Sequence, residues 1–523
     1  MWRLVSLLIL LLIVYVPLGG LVVKLLALPN LIEIITELLT DPSLHSALKF
    51  TYTQAGLSAL FSLIIGLPGA YFFSHYEFKG KRLIRNLTMI PFILPSILVV
   101  LAMIVFYGQQ GLFARTFGTG TFIYSFIGII FAHVFYNFSV SIRIVGTTWE
   151  KLDRDLLESA YVLGDSPLRA FFRIELPLLW PSLAYATLLS FLYSSLSFAI
   201  VLVFGGVSFQ TVEVFIYTLV RRLNLEKAHL VAFLQLIISF TFILLVNYLS
   251  KRTDSVDKAF TLSQAKPFNK EKKTWLKVLM VIYFVALLIF YGGPLLSLSY
   301  RSFLTRGGTF TLQNHINLFS AKTTRLLGTP MWQVFINSLL LAGTSSAIAV
   351  ALAFVLARYY PRFRPFFLVP LGVSMMSYGF GVLVTMKNWL PVPILMVFTQ
   401  VFIAFPVVYS IVSLGLEEIN PEYRQAAAVL GASEKEIVST IYLPLLRPTL
   451  NSAFAYGLAL SLGDLSGIML VGEGRFVTFT VALYRLIGHY SFPEGTALGT
   501  LMSVLFIILF VLIEGKGEGR GHA

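Results

Sequence analysis

Apolar runs long enough to cross a membrane recur along the whole chain, and they restrict its fold more than any other feature of the sequence. Hydrophobic residues make up 57% of the 523 residues, and charged residues make up only 12%. This composition is typical of a polytopic membrane protein and excludes an ordinary soluble domain. We predict an all-α protein of about twelve transmembrane helices. The predicted spans lie near residues 4–23, 47–73, 87–107, 122–145, 180–206, 230–249, 276–300, 331–357, 366–386, 392–414, 448–471 and 497–513.

A polar stretch between these apolar runs occurs twice, at a separation of 267 residues, with six of seven aligned positions identical. The first copy contains Glu158, Ala160, Gly164, Ile174, Leu176, Pro177 and Pro181, and the second contains Gln425, Ala427, Gly431, Ile441, Leu443, Pro444 and Pro448. Duplication at a fixed period indicates one structural device that is used in two places. The alternative interpretation is a surface hairpin that merely connects two spans.

Each copy predicts two short helices joined by a sharp turn. Gly164 and Gly431 can end the first helix, because glycine adopts the left-handed conformation at little cost. Pro177 and Pro444 are expected to break the second helix, because proline lacks the N–H that an α-helix requires.

The second helix of each copy has its own start signal. In the first copy Asp165 or Ser166 can cap the helix, with Pro167 at its first position. In the second copy Ser433 is followed three residues later by Glu436, which is the pattern of a capping box.

The repeat extends beyond the polar stretch. Upstream of it the offset becomes 287 residues, and Ser58 and Ala70 pair with Ser345 and Ala357. The sequence therefore predicts two parallel six-helix halves, residues 1–249 and 276–523, joined by a polar linker at 250–275. A pore between the two halves is the natural consequence.

The net charge of +14 comes from Lys and Arg residues that fall in short loops between the apolar runs. This distribution follows the positive-inside rule and does not indicate a nucleic-acid-binding protein. The basic clusters predict that both termini and the linker at 250–275 are cytoplasmic.

The pattern E-[AS]-A-x3-G-x9-I-x-L-P resembles the cytoplasmic loop of the membrane permeases of binding-protein-dependent ABC importers. The first copy matches every defining position, whereas in the second copy Gln425 replaces the acidic residue. In that family the loop docks into a cleft of the ATPase subunit. The resemblance therefore implies two copies of an ATP-binding cassette ATPase, an external substrate-binding protein, and a location in the bacterial cytoplasmic membrane, in contact with membrane lipid.

Within this family, a single chain that carries both halves resembles the thiamine and iron(III) importers. Four short stretches look most like the thiamine permease, namely Tyr107–Gly111, Ala132–Asn137, Ser461–Asp464 and Ile487–Tyr490. The resemblance implies a small cationic substrate, with thiamine favoured and iron(III) as the alternative. A secondary transporter or channel driven by an ion gradient is the competing class.

The chain lacks the motifs that would make it an enzyme. It contains no G-x-x-x-x-G-K-[ST] loop to hold nucleotide phosphates, no H-E-x-x-H and no G-x-S-x-G. It also contains no cysteine. We expect no catalytic residue, no cofactor and no metal site, so that ATP hydrolysis must be supplied by partner subunits.

Three polar residues within predicted spans are candidates for the pore. Asp464 lies in the eleventh span, where an ionised carboxylate is costly and usually faces a cavity or a partner. A contact to a neighbouring helix is an equally good interpretation. His133 and Asn137 lie one helical turn apart on the fourth span and share a face, although such pairs more often only join helices.

Overall fold

The computed structural model describes residues 2–88, 90–109, 111–118, 122–206, 208–259, 265–271, 273–305 and 307–514. Almost all of the secondary structure in these ranges is helical, which confirms the all-α prediction. Ten of the described helices are long and apolar enough to cross a membrane: Arg3–Leu26, Pro42–His75, Ser96–Thr116, Phe126–Lys151, Pro167–Ser195, Leu225–Thr253, Thr274–Ser302, Met331–Tyr359, Val392–Glu417 and Phe492–Ile513. The pair Pro361–Gly372 and Met375–Met386, bent by 97°, makes an eleventh span if it is counted as one.

The remaining predicted span, near residues 448–471, is divided in the structure. Helix Leu443–Gly463 is followed after a short break by helix Ser466–Val471. Polar residues such as Arg447 and Asn451 interrupt the apolar sequence of the longer helix, which is why it is not among the ten. The predicted fifth span breaks at the equivalent place, between helices Leu176–Ser195 and Ala199–Phe204.

Shorter helices connect or extend the long ones. They are Leu31–Thr40, Lys81–Leu87, Ile90–Ile93, Leu112–Phe117, Arg154–Val162, Pro167–Ala170, Val212–Arg221, Gln313–Asn317, Ala321–Leu327, Arg364–Phe367, Pro421–Val429, Glu434–Ile437 and Phe479–Gly488. In the described residues the strands are Tyr76–Glu77 and Lys266–Pro267, which pair in parallel with Tyr76 opposite Lys266.

The two halves have the same internal packing. In the first half, helices Pro42–His75, Phe126–Lys151 and Leu176–Ser195 contact one another, as do helices Met331–Tyr359, Val392–Glu417 and Leu443–Gly463 in the second half. Individual hydrogen bonds repeat as well. The Thr51 hydroxyl accepts from the Val212 N–H at 2.9 Å, and Ser338 accepts from the Phe479 N–H at 2.8 Å. These four residues correspond at the offsets of 287 and 267 residues.

The first helix of each half packs against the opposite half. Helix Val16–Leu26 contacts Met375–Met386, and helix Thr274–Ser302 contacts Ser96–Tyr107. The Tyr378 hydroxyl also donates, at 2.6 Å, to the carbonyl of Ile13 in the turn Leu11–Tyr15 that precedes helix Val16–Leu26. The halves are thus interlocked, and their boundaries at 249 and 276 stay a prediction.

The linker is attached to the first half where the structure describes it. The Tyr76 hydroxyl and the Lys266 ammonium both donate to Glu271, at 3.0 Å each. The Lys273 N–H and the Lys266 ammonium lower the pKa of Glu271 to about 2. Residues 260–264 and 272 of the predicted linker, and Gln110 of the stretch Tyr107–Gly111, lie outside the described residues.

Candidate functional site

The first duplicated stretch forms a helix, a left-handed turn and a second helix. Helix Arg154–Val162 is followed by Gly164, which has φ +92°. The Gly164 N–H donates to the Tyr161 carbonyl at 3.0 Å, and the Asp165 N–H donates to the Ala160 carbonyl at 3.0 Å. This pair of hydrogen bonds is the Schellman motif, and it confirms the predicted helix end at Gly164.

The second stretch repeats this turn. Helix Pro421–Val429 is followed by Gly431, which has φ +83°. Ala432 N–H donates to the Ala427 carbonyl at 3.0 Å, as Asp165 does to Ala160 in the first stretch. We call the two stretches docking loop 1, residues 152–177, and docking loop 2, residues 416–444.

The caps of the second helices also agree with the sequence. In docking loop 1 the Ser166 hydroxyl accepts from the Arg169 N–H, with Pro167 at the helix start. In docking loop 2 the Glu436 N–H donates to Ser433 Oγ at 3.3 Å, and the Ser433 N–H donates to Glu436 Oε2 at 2.7 Å. The Ser433 hydroxyl, which donates to Glu436 Oε2 at 2.7 Å, and the Ser433 N–H lower the pKa of Glu436.

The second helices do not end at the prolines, which corrects the prediction that Pro177 and Pro444 break them. A π-helical turn, Phe171–Glu175 in loop 1 and Val438–Tyr442 in loop 2, leads into the long helix that follows. A π turn is wider than an α turn and relieves the clash between the proline ring and the preceding turn. Each docking loop therefore continues into the membrane as one helical segment.

The predicted docking residues differ in exposure. Glu158, Gly164 and Pro177 of loop 1 are exposed, as are Gln425, Gly431, Leu443 and Pro444 of loop 2. Ile174, Leu176, Ala427 and Ile441 are half-buried, and Ala160 is buried. The small side chain of Ala160 lies against the protein, while Glu158 faces solvent. Their role in docking stays a prediction.

The tip of each loop exposes two apolar residues that our interpretation of the sequence missed. Val162 and Leu163 are 87% and 86% exposed, and Val429 and Leu430 are 88% and 86% exposed. The two pairs correspond at the offset of 267 residues and are identical, which was the signal that could have identified them. Apolar residues that are repeated and strongly exposed mark a surface that contacts another protein or a membrane.

The two loops are attached to the membrane helices by different contacts. In loop 1 the Trp149 indole N–H donates to Glu175 Oε2 at 2.7 Å. In loop 2 Arg358 Nη2 donates to Glu434 Oε1 at 2.7 Å. Burial raises the pKa of Glu434, but the hydrogen bond and charge of Arg358 outweigh it, so that this pKa is lowered overall.

Asp464 lies at the break between helices Leu443–Gly463 and Ser466–Val471, and it is buried. Its carboxylate accepts from Gln400 Nε2 at 2.9 Å, from Ser466 Oγ at 2.9 Å and from the Gly467 N–H at 3.3 Å. Asp464 therefore caps the short helix and also binds the neighbouring helix Val392–Glu417.

His133 and Asn137 are both buried on helix Phe126–Lys151. Asn137 Nδ2 donates to Ser194 Oγ at 2.9 Å within its own half, which is the contact expected of a residue that joins helices. Neither ring nitrogen of His133 has a hydrogen-bond partner among the described residues. The structure does not bring these two residues together with Asp464 in any described contact.

A second buried carboxylate was missed because it lies between the predicted spans 180–206 and 230–249. Glu213 belongs to helix Val212–Arg221 and is 1% exposed. Its carboxylate accepts from Gln235 Nε2 at 3.4 Å and faces the Ser374 hydroxyl and the Met376 N–H of the other half. In the part of the chain that is described, no group of three His, Asp or Glu side chains could hold a metal ion.

Comparison with known proteins agrees with this arrangement. Residues 60–255 and 343–515 match the family described as "Binding-protein-dependent transport system inner membrane component". The thiamine transport system permease protein ThiP of Haemophilus influenzae is 27% identical over 470 residues, which cover 86% of this chain and 85% of the relative. ThiP of Escherichia coli is 25% identical over 483 residues, 87% of this chain and 86% of the relative.

We also compared the fold with a solved structure of a bacterial ABC transporter involved in the import of the acidic polysaccharide alginate. The alignment covers 48% of this chain and 97% of the solved chain, at 17% identity and a TM-score of 0.39. The family match has two parts, one in each half, and each part includes one docking loop. This chain is therefore a member of the family of inner membrane components of binding-protein-dependent transport systems, with two copies of the family domain in one polypeptide.

Proposed function

We propose that this permease carries thiamine through the membrane. Its relatives named for thiamine transport align along most of the chain, including both halves. Thiamine is an organic cation, and the buried carboxylates of Asp464 and Glu213 provide negative charge within a protein that is otherwise largely apolar.

Energy would come from two ATPase subunits, one on each docking loop. The observation that carries this part of the proposal is the repeated turn that exposes Val162 and Leu163 in one loop and Val429 and Leu430 in the other. Burial of one exposed leucine contributes about 1.5–3 kcal/mol to an interface. A partner with an apolar cleft would therefore gain affinity from each tip.

The orientation follows from the same assignment. ATP is a cytoplasmic substrate, so the docking loops, both termini and the linker would be cytoplasmic. The external binding protein would then deliver thiamine at the opposite face.

Transport is tested with proteoliposomes that contain the permease, its ATPase and its binding protein. We expect uptake of radiolabelled thiamine that requires ATP on the ATPase side. Equal uptake without ATP, or uptake of an iron(III) complex in place of thiamine, would contradict the proposal.

Docking is tested by replacing the tips. Leu163→Ser and Leu430→Ser should each weaken copurification of the ATPase by about tenfold, because 1.4 kcal/mol corresponds to a factor of ten. Leu112→Ser is the control, since Leu112 is 64% exposed but lies far from both loops in the sequence. Equal ATPase recovery with all three variants would exclude the tips as docking elements.

A further inference from the structure

We infer that Asp464, Gln400 and Glu213 form a single binding site for an organic cation between the two halves of the permease. The inference rests on the proposed function and names the residues that would hold its substrate. Asp464 and Gln400 come from the second half, and Glu213 comes from the first. The site would be incomplete without either half.

Several contacts place the two carboxylates beside the same helix end. Glu213 faces the Ser374 hydroxyl and the Met376 N–H, at the start of helix Met375–Met386. A Cβ atom added at Gly467 would lie 2.9 Å from Asp464 Oδ2 and 2.9 Å from Met375 Cε. In the sequence, Met375 is flanked by the two residues that face Glu213. In space, the end of its side chain lies near Gly467, which adjoins the Asp464 carboxylate.

The break at Asp464 also lies against the other half. A Cβ atom added at Gly463 would be 3.8 Å from Pro95, which precedes helix Ser96–Tyr107 of the first half. The carboxylate of Asp464 thus belongs to the boundary between the halves, where a pore is expected.

Two buried amide oxygens give independent evidence for a ligand. Gln400 and Gln235 each donate their amide nitrogen to one of the carboxylates. Gln400 is 0% exposed and Gln235 is 2% exposed, and the Oε1 atom of each has no partner among the described residues. An unpartnered buried oxygen is costly, and capping of a helix by Asp464 does not explain it. A ligand with N–H donors and a positive charge would satisfy this excess of acceptors.

The repeat shows that the site occurs once. At the offset of 267 residues Asp464, Gln400 and Thr480 correspond to Ser197, His133 and Glu213. The first half thus has a serine and a histidine where the second half has Asp464 and Gln400. The second half has a threonine where the first half has Glu213. Each half therefore contributes one carboxylate, and neither carboxylate is repeated in the other half.

The site lies far from docking loop 2 but is connected to it by one helical segment. The part of this segment beyond docking loop 2, residues 445–463, has 19 residues. At 1.5 Å per residue it spans about 29 Å, which matches the hydrocarbon thickness of about 30 Å. The cation site is then at the face opposite the docking loops, where a binding protein would release its ligand.

The test uses the full permease in lipid nanodiscs and measures binding of radiolabelled thiamine at equilibrium. Asp464→Asn and Glu213→Gln retain the shape of each side chain and remove its charge. We expect each variant to bind thiamine at least tenfold more weakly than the unaltered permease. Ser197→Ala, at the position equivalent to Asp464, is the matched control and should bind thiamine as the unaltered permease does.

Copurification of the ATPase with each variant reports whether the permease is folded. Asp464→Glu keeps the charge but moves it by one methylene group, so this variant should bind thiamine more tightly than Asp464→Asn and more weakly than the unaltered permease. Normal thiamine binding by both charge-removing variants would overturn the site, even if the unaltered permease transports thiamine. Displacement of thiamine by an iron(III) salt, with the same dependence on Asp464, would overturn the assignment of an organic cation.

If the unaltered permease neither binds nor transports thiamine, the proposed function fails instead. If only the charge-removing variants lose the ATPase, Asp464→Glu decides, since thiamine binding by that folded variant as tight as that of the unaltered permease contradicts the site. The experiments therefore test the location of the site and the identity of the substrate separately.

Discussion

The guanidinium carbon of Arg358 lies 3.7 Å from the ring centroid of Tyr442, and the same side chain donates to Glu434 at 2.7 Å. Tyr442 ends the π turn of docking loop 2, and Glu434 begins the helix before it. The repeat equivalents of Arg358 and Tyr442 are Tyr71 and Glu175. In the second half the charged residue, Arg358, is on the membrane helix. In the first half the charged residue, Glu175, is on the docking loop.

Arg358→Met should loosen docking loop 2 while leaving docking loop 1 unchanged. The side chain of Arg358 is 7% exposed, so the loss of its stacking is expected to cost about 2 kcal/mol. Hydrogen exchange of residues 434–442 in the permease complex would measure the change. Arg364→Met is the matched control, because the pair of Arg364 with Glu417 is exposed and contributes at most about 1 kcal/mol. Equal protection in both variants would contradict the role of Arg358.

Gly164→Val and Gly431→Val should each distort one docking turn. A left-handed backbone costs a residue with a Cβ atom about 1–2 kcal/mol, and a β-branched residue more. A Cβ atom at either glycine would meet no atom within 4 Å, so the effect comes from the backbone angle alone. Gly343→Val is the control, since Gly343 also has free space but lies within a helix. ATP-driven uptake should fall for the two turn variants, and normal uptake would show that the turns are dispensable.

The charge difference between Glu158 and Gln425 predicts unequal contacts with the two ATPases. Both positions are exposed on their docking loops. If Glu158 pairs with a basic group on its ATPase, Glu158→Gln should cost about 1 kcal/mol of docking free energy. Gln425→Glu should have a small or favourable effect. Stimulated ATPase activity in reconstituted complexes would measure both, and identical effects would indicate that charge at this position is irrelevant.

The contacts of Glu271 predict a pH-sensitive attachment of the linker. The folded pKa of about 2 is below the ordinary value of 4.5, so the contact stabilises the folded linker above pH 4.5. Its contribution is lost as the pH falls from 4.5 towards 2. Glu271→Gln should mimic the loss at neutral pH and increase cleavage by trypsin after Lys273, whose N–H donates to Glu271. Glu33→Gln is the control, because it removes an exposed carboxylate from helix Leu31–Thr40, and an unchanged cleavage rate in Glu271→Gln would refute the attachment.

The predicted topology can be tested with single cysteines, because the native chain has none. We expect Phe260→Cys in the linker to resist a membrane-impermeant thiol reagent in intact cells. Tyr490→Cys should react, since Tyr490 is 78% exposed and lies beyond helix Phe479–Gly488, in a segment that we expect to be external. Labelling of position 260 in intact cells would reverse the assigned orientation.

The membrane spans, the repeat and the two docking turns could be predicted from the sequence because each depends on neighbouring residues. A helix end at Gly164 requires a left-handed residue at one position, and the capping box requires only Ser433 and Glu436. The prediction for Pro177 was wrong because the alternative to a broken helix, a π turn, depends on how the loop packs against the membrane helices.

The tertiary structure decided which distant residues meet. Glu213 lies between two predicted membrane spans, yet it is buried against Ser374 of the other half. From the sequence, Arg358 is one of several basic residues expected on the cytoplasmic side. The structure shows that its guanidinium lies over the ring of Tyr442. Spacing along the chain does not predict such contacts. They form only where the two halves pack together, with the first helix of each half against the opposite half. The sequence alone determined that this is a duplicated membrane permease, whereas packing between the halves determined where its charges are buried.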